Sequence, residues 1–312
     1  MIDMKLGLLD LSEYGLIEVR GNDSRSFLNG ILTQDIKTLP YGKGAYACLC
    51  TPKGKILADL FCYAAEDHFK IECHQNLKGK ILELLNRYIL IQKVSLQDLS
   101  QEWSGVGVLG SESPSIVQKH FPQFSGIAPL SHQKISDVWI LYKLQWGYPC
   151  FEFWMKKEHL SSFQASFQVS FQKQLAVPFI SKEDQEILRI ESKTPLYGVD
   201  MDETTIPQEA HLFHALNFQK GCYIGQETIA RLQNLGHVNK ELVLLKIDEK
   251  EEVSKGSKIF TQQGEEIGFI TSQCFSPKYQ CVIALGYIRY AHFEEKEFRV
   301  GEKKAEILLN SE

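Results

Sequence analysis

No stretch of this 312-residue chain approaches the roughly 18 consecutive apolar residues that a membrane helix needs. No two of its eight cysteines stand as Cys-x-x-Cys, which removes the spacing of zinc ribbons and thioredoxin-like sites. Eight cysteines in a chain this long do not make a disulfide framework either. There is no basic excess. Lys and Arg number 34 against 39 Asp and Glu, for a net charge of −5 and a pI near 6.0. That balance argues against a genome-binding protein and against a polybasic membrane anchor. The first fifteen residues carry acids and lack a cationic region ahead of a greasy one, so they do not read as a signal peptide. The expected compartment is the cytoplasm.

What is present is the composition of a folded protein, 44 % hydrophobic and 23 % charged. The length exceeds one ordinary core and predicts two domains, residues 1–238 and 239–312. Strand patterns run from Gly15 to Arg20, Ala45 to Cys50, Ile56 to Tyr63 and His68 to Cys73, with Pro52-Lys53-Gly54 as a hairpin signal. Short helical segments fall at Ser26 to Leu32 and Leu77 to Leu90. A second unit of the same kind has strands at Val138 to Leu144 and Phe151 to Met155. Phe163, Phe167 and Phe171 follow at four-residue spacing, an aromatic helix face read as core packing. Ser181 and Asp184 resemble a capping box opening a helix to Glu191. An irregular stretch, Ser192 to Leu216, comes next; loops this long inside compact domains are often functional. Beyond Asn239 short strands alternate with turn residues, the pattern of a small β-barrel.

Several constellations have a plain structural reading. Cys48 and Cys50 share one face of a strand and read as core thiols. His211 and His214 lack convincing further ligands for a zinc site. Gly105-Val106-Gly107-Val108-Leu109-Gly110 imitates a dinucleotide fingerprint, but no clear helix opens after it and no acid stands at the proper distance. Its glycines are read as packing residues. The densest candidate is Lys220-Gly221-Cys222-Tyr223-Ile224-Gly225-Gln226-Glu227. Two glycines permit unusual backbone angles. Lys220 is expected to favour the Cys222 thiolate, just ahead of a helix N-terminus that favours anions.

That octapeptide resembles the signature of YgfZ-type folate-binding proteins, relatives of the glycine-cleavage T-protein, the aminomethyltransferase. Further blocks match in order: Gly21 and Asp23 with Phe27-Leu28-Asn29-Gly30 and Thr33-Gln34-Asp35, Lys53 to Leu57, Leu188 to Glu191, Tyr197 to Asp200, Thr205 to Glu209, then Ala230-Arg231 and Gly236. The resemblance implies an α+β fold: a T-protein-like cloverleaf of two α/β, ferredoxin-like subdomains plus a small C-terminal β-barrel around a central folate-binding hole. It implies tetrahydrofolate, or a one-carbon derivative, as cofactor. Glu191 is expected to accept paired N–H groups of the pterin. Arg231 is expected at the glutamate tail, with Tyr14, Tyr197 and Gln226 also around the ligand. Cys222, Lys220 and Asp59 are the expected chemical residues.

The departures from the transferase pattern have consequences. Leu57-Ala58-Asp59-Leu60 stands where aminomethyltransferases carry adjacent aspartates, so one acid is missing. Tyr14 and Gln185 fill positions where some bacterial YgfZ members place tryptophan. The expected function is therefore a tetrahydrofolate-binding accessory protein in iron–sulfur cluster assembly or repair, acting through Cys222 and bearing indirectly on tRNA modification. No stable metal site is expected, although Cys222 is a candidate transient cluster ligand beside thiolates from iron–sulfur assembly proteins or client enzymes. The alternative is a folate-dependent aminomethyl or one-carbon transferase. Direct nucleic-acid and membrane contacts are not expected, and a monomer is.

Overall fold

The computed structural model describes residues 4–126, 128–163, 177–247 and 253–308. The first half of the chain builds a five-stranded antiparallel sheet from β2 (Tyr14–Arg20), β3 (Gly44–Cys50), β4 (Ile56–Ala64), β5 (His68–His74) and β6 (Ser95–Asp98), in the order β3-β4-β5-β2-β6. Period-two alternation gives this sheet two different faces. Ile17, Val19, Ala47, Leu49, Ala58, Leu60 and Ile71 face a core closed by helices α1 (Ser24–Ile31) and α2 (Gln75–Tyr88). The other face carries Tyr14, Tyr46, Asp59, Phe61 and Glu72.

The second sheet is also five-stranded. It uses β1 (Gly7–Asp10), β7 (Trp103–Leu109), β8 (Ser131–Ile135), β9 (Val138–Gln145) and β10 (Tyr148–Lys156), in the order β1-β7-β10-β9-β8. The chain's first strand is thus β1, and it joins the second sheet by pairing with β7 almost a hundred residues later. Helix α3 (Ser113–His120) lies in the connection between β7 and β8, and its Val117 packs on the outer core with Phe151, Phe153 and Met155 of β10. Residues 157–163 are helical and bring Phe163 against the same core; Phe167 and Phe171 lie outside the described residues. The glycines of β7 serve packing: a Cβ on Gly105 would stand 2.9 Å from the Trp154 ring.

The two sheets pack face to face. Leu16 and Tyr63 of the first meet Trp139, Leu141 and Trp154 of the second in one core. Helix α4 (Lys182–Glu191), helix α5 (Gln226–Leu235) and the long loop between them connect these layers to a closed barrel. Its strands are β11 (Lys240–Ile247), β12 (Lys258–Phe260), β13 (Glu266–Ser276), β14 (Cys281–Arg289), β15 (Glu297–Val300) and β16 (Lys303–Ile307), closing in the order β11-β14-β13-β12-β15-β16. Ile190 of α4 is buried among Leu242, Leu244, Ile283 and Leu285 of the barrel's outer face. The fold is α+β, two sheet-and-helix units plus a barrel. No helix among the described residues is long and apolar enough to cross a membrane.

Candidate functional site

A cavity of about 1330 Å³ opens where the polar face of the first sheet, α4, the following loop and the barrel converge. Ordinary small-molecule sites occupy roughly 300–1,000 Å³, so a ligand of cofactor size has room. Its wall carries Tyr14 and Tyr46, Asp59, Phe61, Trp146, Glu191, Tyr197, His214 and Tyr279. Aromatic faces with a few placed carboxylates are the composition of a site for a flat, hydrogen-bonding ring system.

Asp59 comes from the middle of β4, opposite Cys48 of β3. The Tyr46 hydroxyl donates to its Oδ2 at 2.8 Å. Burial raises the Asp59 pKa, and the Tyr46 hydrogen bond opposes that shift. Burial also holds the Tyr46 hydroxyl well above its usual range, so it stays a donor. His214 stacks on the Tyr46 ring at 5.1 Å and 14°. Ala58, next to Asp59, points into the opposite core and is fully buried there. The strand's alternation therefore leaves one acid for the cavity.

Glu191 is the last residue of α4 and lines the cavity with 6 % exposure. The Ser276 hydroxyl donates to its Oε1 at 2.5 Å. Tyr197 holds the cavity's edge, with the Lys80 ammonium donating to its hydroxyl at 2.8 Å. Tyr14 faces the cavity from β2, and burial raises its pKa against the pull of Lys143. Gln185 also lines the cavity, where its amide donates to the Ile180 carbonyl at 3.0 Å. Four expected site residues thus meet: Tyr14, Asp59, Glu191 and Tyr197.

Cys222, Lys220, Gln226 and Arg231 lie outside that lining. The Lys220 ammonium spends its three hydrogens on carbonyls of Asn29, Leu32 and Gln34, at 2.6, 2.7 and 2.8 Å. It has no hydrogen left for Cys222. Burial brings its pKa down to about 8. Gln226 donates to the Lys220 carbonyl, and Arg231 stands on the exposed face of α5. Gly225 sits at φ +88°, and a Cβ there would fall 2.7 Å from the Thr51 carbonyl. The glycine is needed because α5 starts hard against the β3–β4 turn. Much of the octapeptide is therefore a clasp holding α1, the hairpin and α5 together. Cys222 projects from it as the one exposed thiol; Cys274 is half-buried and the other six are buried. Burial pushes the Cys50 thiol up to about 12 and Cys48 well up, which makes both poor nucleophiles.

His211 and His214 both line the cavity, His211 at 3.3 Å from Glu241. No group of three His, Cys, Asp or Glu able to hold a metal occurs among the described residues. Sequence reading missed Tyr46, although the alternation that placed Cys48 and Cys50 on one face places it there too. It also missed a buried cluster behind Tyr14, in which Lys143 reaches Glu72 at 2.6 Å and Glu152 at 2.7 Å. Its members lie on β5, β9 and β10, so no local motif marks it.

Curated aminomethyltransferases match most of this chain. It is 27 % identical over 307 residues to an aminomethyltransferase of Desulfitobacterium hafniense, covering 93 % of this chain and 81 % of that one. It is 28 % identical over 318 residues to an aminomethyltransferase of Geobacillus sp., covering 97 % and 86 %. Among solved structures, the glycine cleavage system aminomethyltransferase T from Bartonella henselae superposes with a TM-score of 0.86 at 21 % identity, over 99 % of this chain and 86 % of that one. That likeness establishes a T-protein-like fold. The GCVT N-terminal domain matches residues 1–220, and the glycine cleavage T-protein C-terminal barrel domain matches residues 240–307. By those two matches the chain belongs to the glycine cleavage T-protein family.

Proposed function

We propose that the central cavity binds tetrahydrofolate and that the chain is a folate-dependent aminomethyl or one-carbon transferase. The observation that carries this reading is the convergence of Asp59, Glu191, Tyr14 and Tyr197 on one cavity of about 1330 Å³. The donor set fits the cofactor. Glu191 would accept paired N–H groups of a pterin. Tyr14 and Tyr197 offer ring faces. Bound tetrahydrofolate would supply nitrogens that accept a one-carbon unit. Asp59, held by Tyr46 in a desolvated wall, is suited to hold or move a proton at its carboxyl group. The name shared by the relatives supports transfer over a purely accessory role.

The test is tetrahydrofolate calorimetry on wild type and Glu191→Ala, with formation of methylene-tetrahydrofolate from an aminomethyl-lipoyl carrier as the activity. Micromolar binding, about −8 kcal/mol, is expected for wild type. Loss of a charge-assisted pair should weaken it by roughly 1.5–3 kcal/mol in Glu191→Ala. Asp59→Asn should bind but turn over poorly. A wild type that ignores tetrahydrofolate ends this reading.

A second reading rests on the exposure of Cys222. In it the chain is a YgfZ-type accessory protein for iron–sulfur assembly or repair, a partner supplies the other thiolates, and effects on tRNA modification are indirect. Full rescue of iron–sulfur enzyme activity in a deletion strain by Cys222→Ala would remove it.

A further inference from the structure

Glu191 closes α4, and a carboxylate at a helix C-terminus works against the helix dipole. Its cavity position leaves it little water, so a donor must compensate. One donor comes from the barrel. Ser276, the last residue of β13, is fully buried and donates to Glu191 Oε1 at 2.5 Å. Its rotor is fixed, because the Tyr279 backbone N–H donates to the same hydroxyl oxygen at 3.2 Å. The single hydroxyl hydrogen is thereby turned to Glu191. Two more hydroxyls of β13 hold the same helix. Thr271 and Ser272 donate to Asp200 Oδ1 at 2.5 and 2.6 Å. Arg189 of α4 bridges Asp200 Oδ2 at 2.6 Å and the Ser272 hydroxyl at 2.8 Å. One barrel strand therefore grips the last turn of α4 twice: structurally at Arg189, and at the cavity through Glu191.

We propose that Ser276 is a positioning residue for Glu191, so that the C-terminal barrel completes the ligand site. The proposal rests on the folate reading for the ligand it names. The strand's other hydroxyls secure the helix; Ser276 sets the direction of the carboxylate and supports its charge.

The experiment is a double-mutant cycle on the full chain, read by tetrahydrofolate calorimetry. Ser276→Ala should weaken binding about tenfold. In a Glu191→Ala background the same change should add less than about twofold, because coupled residues are not additive. Wild-type affinity in Ser276→Ala, or an undiminished loss in the Glu191→Ala background, overturns the proposal. A second readout needs no ligand. In protein carrying carbon-13 at the glutamate carboxyls, Ser276→Ala should shift the Glu191 carboxyl resonance at pH 7, through loss of its hydroxyl donor, and Glu191→Ala assigns that resonance. An unmoved resonance overturns the proposal even where wild type fails to bind tetrahydrofolate, a failure that removes the folate reading alone. Should the alanine variant not fold, Ser276→Cys gives the same readouts, since a thiol of similar size is a weak donor.

Discussion

Hydrogen counts and strand parity decide the roles of single residues here. An ammonium with three carbonyl partners cannot also serve a thiol, so Lys220 is an anchor for the end of α1. Parity gives Asp59 to the cavity and Ala58 to the core. His132 follows the same logic. Trp139 Nε1–H can only donate, so Nδ1 of His132 accepts from it at 2.9 Å. Its Nε2 must then carry the hydrogen given to the Ala64 carbonyl at 3.0 Å. The neutral ring joins the two sheets, and burial holds its pKa down to about 4 against an ordinary 6.5. The unfolded chain takes up a proton below about pH 6.5 that the folded chain refuses until about pH 4. Stability must therefore fall with pH across that window, by about 3 kcal/mol from this group. Urea unfolding of wild type and His132→Gln at pH 7 and pH 4.5 checks it. The variant's deficit should shrink as the pH drops; a constant deficit contradicts the assignment.

At the scale of elements, local chemistry predicts well wherever both partners lie close in the chain. Ser181 caps α4 by accepting the Asp184 backbone N–H and donating to its carboxylate, as the capping-box spacing implied. Ser181→Ala should cost about 1 kcal/mol in a denaturant midpoint measurement; a loss under a few tenths would mean that packing on the barrel alone holds the helix. The β3–β4 hairpin was equally legible, because Gly54 at φ +73° supplies the turn that Pro52-Lys53-Gly54 announces. The strands that escaped are β8, of five residues, and β1, β6 and β15, each of four. Four residues hold too little alternation to stand out, and β1 pairs only with residues far along the chain, in β7 and at Phe179. Half of the cavity was legible for the same reason. Glu191 and Tyr197 lie in blocks of recognisable order, Asp59 follows one of them, and Tyr14 fills a position that the resemblance marks. Ser276 is an ordinary serine until the barrel docks, 85 positions along the chain from its partner.

At the scale of the molecule, two sheets meet across a core that contains charge. Lys143 is held between Glu72 and Glu152, all three sealed from solvent, with Phe61 and Tyr14 rings 4.6 and 5.4 Å from the ammonium. Burial and the nearby Glu152 push the Glu72 pKa up. Burial works against the charge on Lys143, and Glu152 and Glu72 more than offset it. The Trp154 indole donates to Glu152 and the Tyr63 hydroxyl to Glu72, so aromatic side chains of both sheets serve the same cluster. An apolar seam would tolerate sliding; this one is satisfied in a single register, and that register aligns Tyr14 and Phe61 along the cavity wall. Removing the cation alone leaves two buried carboxylates facing each other. Lys143→Met should therefore cost about 3–5 kcal/mol, read as a shift in the denaturant midpoint. Replacing both acids as well, as Glu72→Gln and Glu152→Gln beside Lys143→Met, should return most of that loss, because no charge then remains uncompensated. If the triple variant is as unstable as Lys143→Met, the ammonium acts by filling space beneath Tyr14 and Phe61, and the register of the sheets is fixed by shape instead.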